Sequence, residues 1–136
     1  MSYLVDTNVI SELRKGPRAH AKVRGWFRSV DDGELYLSVL VIGELRQGVE
    51  RLRRRDPTAA AALDRWLREL VQHHADRTLP VDADVTDRWG RLNVPDPLPA
   101  VDGLLAATAL VHSLTLVTRN VRDVRTTGVR HVDPFA

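Results

Sequence analysis

The chain has 136 residues, 43% of them hydrophobic, which suits one buried core and falls short of two. It carries 20 basic and 18 acidic residues, a formal charge of +2 at pH 7, and all the basic residues but Lys15 and Lys22 are arginine. The absence of cysteine excludes disulfide frameworks, thiolate nucleophiles and sulfur-ligated zinc sites.

Tyr3-Leu4-Val5 reads as a short buried strand, and Asp6-Thr7-Asn8 offers capping side chains just where Val9, Ile10 and Leu13 take up helical spacing. After the Gly16-Pro17 break, Ala19, Val23, Trp26, Phe27 and Val30 predict a second helix, which Asp31-Asp32-Gly33 ends. Leu35-Tyr36-Leu37-Ser38 predicts a second strand. The stripe Val41, Ile42, Leu45, Val49 and Leu52 then predicts a helix that continues through Arg53-Arg54-Arg55 and stops at Asp56-Pro57. A longer helix from about Thr58, with Leu63, Trp66, Leu67, Leu70 and Val71 on one face, completes a helical hairpin. His73-His74 suggests a transition metal, but adjacent histidines on a helix point in different directions, so both are expected at the surface instead.

Thr78 to Val81 predicts a short third strand, and Val85, Trp89 and Leu92 a short helix. The prolines Pro95, Pro97 and Pro99 form a loop into a helix over about Ala100 to His112. Leu114 to Thr118 is the best strand pattern, Thr118 to Asp123 reads as a polar loop, and Val129 to Val132 is a weaker last strand. Alternating strands and helices give an α/β class: one domain over residues 1–136, with a mostly parallel central sheet flanked by helices. Ligands of such sheets gather at the carboxyl ends of the strands.

The longest apolar runs, Leu35 to Gly43 and Gly103 to Val111, are far below the roughly 20 residues of a membrane-spanning helix. Asp6 stands where an export signal would need an uninterrupted apolar stretch, so a cytoplasmic location is expected. Guanidinium forks match phosphate geometry and permit a nucleic-acid partner, although an arginine-rich coding bias yields the same count.

Four acids stand near strand exits or helix starts. Asp6, directly beyond the first strand, serves either as a helix cap or as a ligand. Glu44, in an otherwise apolar run, is either a charge favoured by the helix dipole or a group pointing into a cleft. Asp102 lies in the first turn of a helix built almost wholly of small and apolar residues, and is either a buried carboxylate that needs a partner or a surface acid favoured by the helix dipole. Asp123 ends the segment Thr118-Arg119-Asn120-Val121-Arg122, a polar loop when taken alone. Jointly, strand ends that meet would bring these acids together, and clustered carboxylates require a compensating charge. A hard divalent cation such as Mg²⁺ or Mn²⁺ supplies it to an all-oxygen site. Such an ion supports phosphodiester hydrolysis. Outside the four acids the chain has 20 basic against 14 acidic residues, an acidic pit in a basic surface.

Four segments carry a family resemblance: Leu4-Val5-Asp6-Thr7-Asn8-Val9-Ile10-Ser11; Leu37-Ser38 with Ile42-Gly43-Glu44-Leu45-Arg46-Gln47-Gly48; Val101-Asp102-Gly103 with Ala106-Ala107-Thr108-Ala109; and Leu116-Val117-Thr118-Arg119-Asn120 with Asp123. In this order, from Leu4 to about Pro134, the chain resembles the PIN-domain ribonucleases, in particular the VapC-type toxins of toxin-antitoxin pairs, including their FitB-like branch. The resemblance implies a metal-dependent endoribonuclease that uses water as the nucleophile. It implies Asp6, Glu44 and Asp102 as the core metal-binding acids, Thr7 and Asn8 as groups orienting Asp6, and Thr118 as a hydrogen-bonding neighbour. The family's further acid falls either directly after the Thr-Arg pair, where this chain has Asn120, or three residues later, at Asp123. Asp123 is taken as that acid and Asn120 as a polar helper, which leaves one or two metal ions open. The resemblance also implies a homodimer held inactive by a cognate antitoxin, with Arg46, Arg51, Arg53, Arg54 and Arg55 as candidate contacts to RNA or antitoxin, a solvated helix face being the default reading of those arginines. The alternative is a PIN-like binding module with weak or no catalysis, acting through a DNA-binding antitoxin. A phosphatase with an aspartate nucleophile would want a second acid two residues after Asp6, where Asn8 stands.

Overall fold

A computed structural model describes residues 1–136. The first strand, β1 (Tyr3–Val5), runs into helix α1 (Thr7–Leu13), because Asp6 holds extended backbone while its carboxylate accepts the Thr7 N–H. A tight turn at Gly16–Arg18 leads to α2 (Ala21–Arg28), and a second turn at Asp32–Glu34 leads to β2 (Leu35–Ser38). Ser38 ends that strand and caps the next helix, its hydroxyl accepting the Leu40 N–H at 3.0 Å.

The predicted hairpin is present as α3 (Val39–Arg53) and α4 (Pro57–His73), with Asp56 capping the second helix and Pro57 at its first position. Beyond the apolar seam it is fastened by Asp64, whose carboxylate receives Arg46 at 2.9 Å, Arg53 at 3.1 Å and Arg68 at 3.0 Å. Next come β3 (Thr78–Leu79), α5 (Ala83–Leu92), α6 (Ala100–Val111) and β4 (Thr115–Val117). The segment expected to be a polar loop after β4 instead contains the one-turn helix α7 (Val121–Val124), before the last strand β5 (His131–Val132). Four residues are too few for apolar periodicity to register.

The five strands pair throughout in parallel in the order β3-β2-β1-β4-β5. The chain therefore moves outward from β1 through β2 to β3 and returns to the other side of β1 with β4. The reversal of strand order lies between β1 and β4, where Leu4 pairs Leu116 and Val5 pairs Val117. At such a switch point the loops leave in opposite directions and open a crevice at the carboxyl ends. Both faces of the central strands are covered, and Leu4, Val5, Leu37, Leu116 and Val117 are essentially inaccessible to solvent. The helices complete the core with Val9, Val23, Val41, Val49, Leu67 and Leu105. No helix is long and apolar enough to cross a membrane.

Candidate metal centre

Asp6 leaves β1 at the switch point and is 4% exposed. Its backbone N–H continues the sheet pairing by donating to the Val117 carbonyl at 2.9 Å, which sets it beside the end of β4. One carboxylate oxygen accepts the Thr7 N–H at 2.6 Å. The other accepts the Thr118 hydroxyl at 2.7 Å and the Asn8 side-chain amide at 3.4 Å.

These helpers connect the other acids. The Thr7 hydroxyl donates to Glu44 Oε1 at 2.5 Å, bringing the second turn of α3 against the start of α1. The Asn120 side-chain amide donates to Asp102 Oδ1 at 3.3 Å, while its backbone N–H donates to the Thr118 hydroxyl at 2.9 Å. Asn8 accepts the Arg119 N–H at 3.3 Å and ties the loop after β4 to α1. Asp6, Glu44 and Asp102 thus open onto one cleft of about 520 Å³, shared with Thr7, Asn8, Asn120 and the residues leading into α6. No basic side chain is among its lining residues.

The electrostatics follow from that lining. Burial pushes the Asp6 carboxyl above its ordinary value, against the hydrogen bonds from Thr118 and Thr7, and the negative charges of Asp102 and Glu44 push the same way. Asp102 is raised as well, first by burial and then by the nearby Asp123 and Glu44, while the Asn120 amide pulls it down. Asp123, in α7, reaches the group through Asp102 rather than by lining the cleft. An uncompensated set of hard oxygen donors is suited to Mg²⁺ or Mn²⁺.

The five arginines of the hairpin have different surroundings. Arg46 and Arg53 are committed to Asp64 and Glu50. Arg51 and Arg54 are exposed without side-chain partners, and Arg55 lines a cleft of about 230 Å³ that shares Thr7 and Glu44 with the acid cleft. That second cleft also contains Arg14 and Trp66, the guanidinium of Arg14 lying 5.8 Å from the indole centre. Arg14 was not among the sequence candidates. Its place seven residues after Thr7, two helical turns along the same face, is the signal that would have found it.

Residues 3–128 match the PIN domain family. The chain is 31% identical over 137 residues to the Neisseria gonorrhoeae protein named toxin FitB, covering 97% of each chain. It is 30% identical over 140 residues to the Sinorhizobium fredii protein named VapC ribonuclease Y4jK, covering 97% of this chain and 96% of the relative. The solved structure of FitAB bound to an IR36 DNA fragment superposes with a TM-score of 0.89 at 29% identity, covering 98% of this chain and 96% of the other.

Proposed function

The chain belongs to the PIN-domain family, and on that premise we propose that residues 1–136 form one domain that acts as the toxin of a toxin-antitoxin pair, cleaving RNA with the help of a divalent cation. The observation that carries the proposal is the opening of three carboxylates, Asp6, Glu44 and Asp102, onto one cleft without a cationic side chain. Two relatives covering nearly the whole chain are named as a toxin and as a ribonuclease, which supports the same reading.

Asp6, Glu44 and Asp102 would hold the ion, Mg²⁺ or Mn²⁺, with Asp123 adding negative charge behind Asp102. When bound, the ion acidifies water and offsets the charge of the scissile phosphodiester. The protein's own part is to fix the ligands. Thr118 and the Thr7 amide hold the two Asp6 oxygens, the Thr7 hydroxyl orients Glu44, and Asn120 orients Asp102. The excess of basic residues outside the four acids attracts a polyanion, so RNA binding weakens as salt rises. A cognate antitoxin and a second copy of the chain are the partners in this proposal. Likeness to the FitAB structure supports the first.

The test is cleavage of a panel of structured RNAs by purified protein, with and without chelator, beside Asp6→Asn and Asp102→Asn. Cleavage that requires the divalent ion and falls to background in both variants is expected. Equal cutting by parent and variants, or no effect of chelator, would overturn the assignment of these residues, and no cutting by the parent would favour a binding module instead.

A further inference from the structure

At the opposite end of the sheet from the acid cleft, the turn before β2 meets the end of α4. The two adjacent histidines were expected to diverge, yet their rings lie 4.8 Å apart between centres at an interplanar angle of 77°. His73 is the last helical residue and His74 caps the helix at φ −103° and ψ 18°, still donating its N–H to the Leu70 carbonyl at 3.1 Å. His73 remains exposed, whereas His74 is 6% exposed.

Asp32, from the turn ahead of β2, completes the group, its Oδ2 lying 2.7 Å from His73 Nε2. One ligand atom from each of Asp32, His73 and His74 falls within 4.8 Å of the others, close enough to share one ion. The tautomer of His74 follows from its partner. Its Nδ1 lies 3.0 Å from the Leu70 carbonyl, which can only accept, so Nδ1 carries the proton and Nε2 keeps a free lone pair. A backbone carbonyl that orients an imidazole in this way is the usual support of a metal-binding histidine. Access comes from the exposure of Asp32 and His73; Asp32 and His74 also line a cleft of about 390 Å³ whose lining is mostly apolar but includes Arg14, Arg24 and Arg28.

We propose that Asp32, His73 and His74 form a second metal site, separate from the acid cleft, that takes a borderline-soft divalent ion of the Zn²⁺ class. Two imidazoles and one carboxylate match that ion, with the remaining coordination left to water. Arg77 sharpens the choice. Its guanidinium hydrogen-bonds Asp32 Oδ2 at 3.2 Å and the Leu35 carbonyl at 3.0 Å, which fixes the turn carrying Asp32. Its charge opposes any dication and draws on the Asp32 carboxylate, so binding has to rest mainly on the two imidazole nitrogens, which suits Zn²⁺ better than Mg²⁺ or Ca²⁺. Such an ion would clip the turn before β2 to the end of α4, groups 41 positions apart in the chain, and stabilise the folded state by mass action.

The experiment titrates Zn²⁺ into untagged, metal-free full-length protein by calorimetry, with Co²⁺ as a visible-absorption probe and thermal unfolding alongside. Because the acid cleft would also take Zn²⁺, the titration is run in the Asp6→Asn/Asp102→Asn double variant, where one Zn²⁺ per chain is expected, with a rise in Tm and four-coordinate Co²⁺ absorption. Added to that double variant, His73→Ala, at an exposed position, and Asp32→Asn should each weaken Zn²⁺ binding by at least about tenfold, the lower bound for merely losing support to a ligand. In the otherwise unaltered chain, His73→Ala should keep Mg²⁺-dependent RNA cleavage. The site is disproved if the double variant binds no Zn²⁺ or if adding His73→Ala leaves its binding undiminished. Because RNA cleavage is scored separately, failure here leaves the nuclease assignment untouched.

Discussion

The Thr118 hydroxyl donates to Asp6 Oδ2 across 2.7 Å, joining residues 112 positions apart. The bond exists because β1 and β4 are neighbours although almost the whole domain lies between them in sequence. Thr118 is 1% exposed and also accepts the Asn120 N–H, so one hydroxyl positions two strand-end groups at once.

Thr118→Val keeps the volume and removes both bonds. RNA cleavage should fall about 10- to 100-fold, the usual cost of losing support to a ligand, and stability by about 1–3 kcal/mol as the Asp6 oxygen and Asn120 N–H lose a partner. Initial cleavage rates and a denaturant titration measure the two effects. An unchanged cleavage rate in a folded variant would show that Asp6 needs no such positioning.

The raised carboxyls of Asp6 and Asp102 make the metal-free protein pay for its pit. The sign is that of an acid whose folded pKa exceeds its unfolded one. It subtracts stability at neutral pH, and the subtraction fades as pH falls toward about 4. Asp102→Asn should therefore raise the Tm of metal-free protein while abolishing cleavage. Partial solvent screening limits the gain to about 1 kcal/mol or less, a rise of about 2–5 °C at this size. Millimolar Mg²⁺ should raise the Tm of the parent and leave that of the variant unmoved; calorimetric scans with and without the ion decide it.

Asp64 behaves oppositely. The arginines Arg46, Arg68 and Arg53 hold its carboxyl far below the ordinary range, so it adds stability above about pH 4 that is lost as pH falls through the acid range. Asp64→Asn should lower stability at pH 7 and flatten the fall in Tm below pH 4. Unfolding followed across pH 2–7 checks this, and parallel profiles for parent and variant would refute the role given to the pair of helices it fastens.

Gly103 stands beside Asp102 where α6 meets α5. A methyl group there would lie 3.2 Å from the Trp89 ring and 3.3 Å from Leu98 Cβ. Gly103→Ala gains about 1 kcal/mol of helix propensity, but overpacking costs about 1–3 kcal/mol. The net expectation is a lower Tm and reduced cleavage, because the first turn of α6 carries Asp102. A Tm above that of the parent would mean that Trp89 can give way.

Period and punctuation were enough to read most of the elements. Tyr3–Val5 and Leu35–Ser38 carry apolar runs bounded by capping residues, and Asp56-Pro57 breaks the long helical pattern at its hairpin, so these boundaries fall where local chemistry puts them. The one-turn helix α7 is not legible because four residues give a 3.6-residue period no room to repeat. The four acids could be nominated from their places near strand exits and helix starts, and the resemblance ranked them.

What local sequence determined, then, was which segments are strands and helices and which side chains have chemistry to offer. Which of them meet was decided by how strands and helices pack. Placing β4 beside β1 brings Thr118 to Asp6, packing the turn before β2 on the end of α4 brings Asp32 to His73, and packing α3 on α4 commits Arg46 and Arg53 to Asp64. Contacts between residues tens of positions apart depend on how the whole core closes, and no spacing within one segment encodes them.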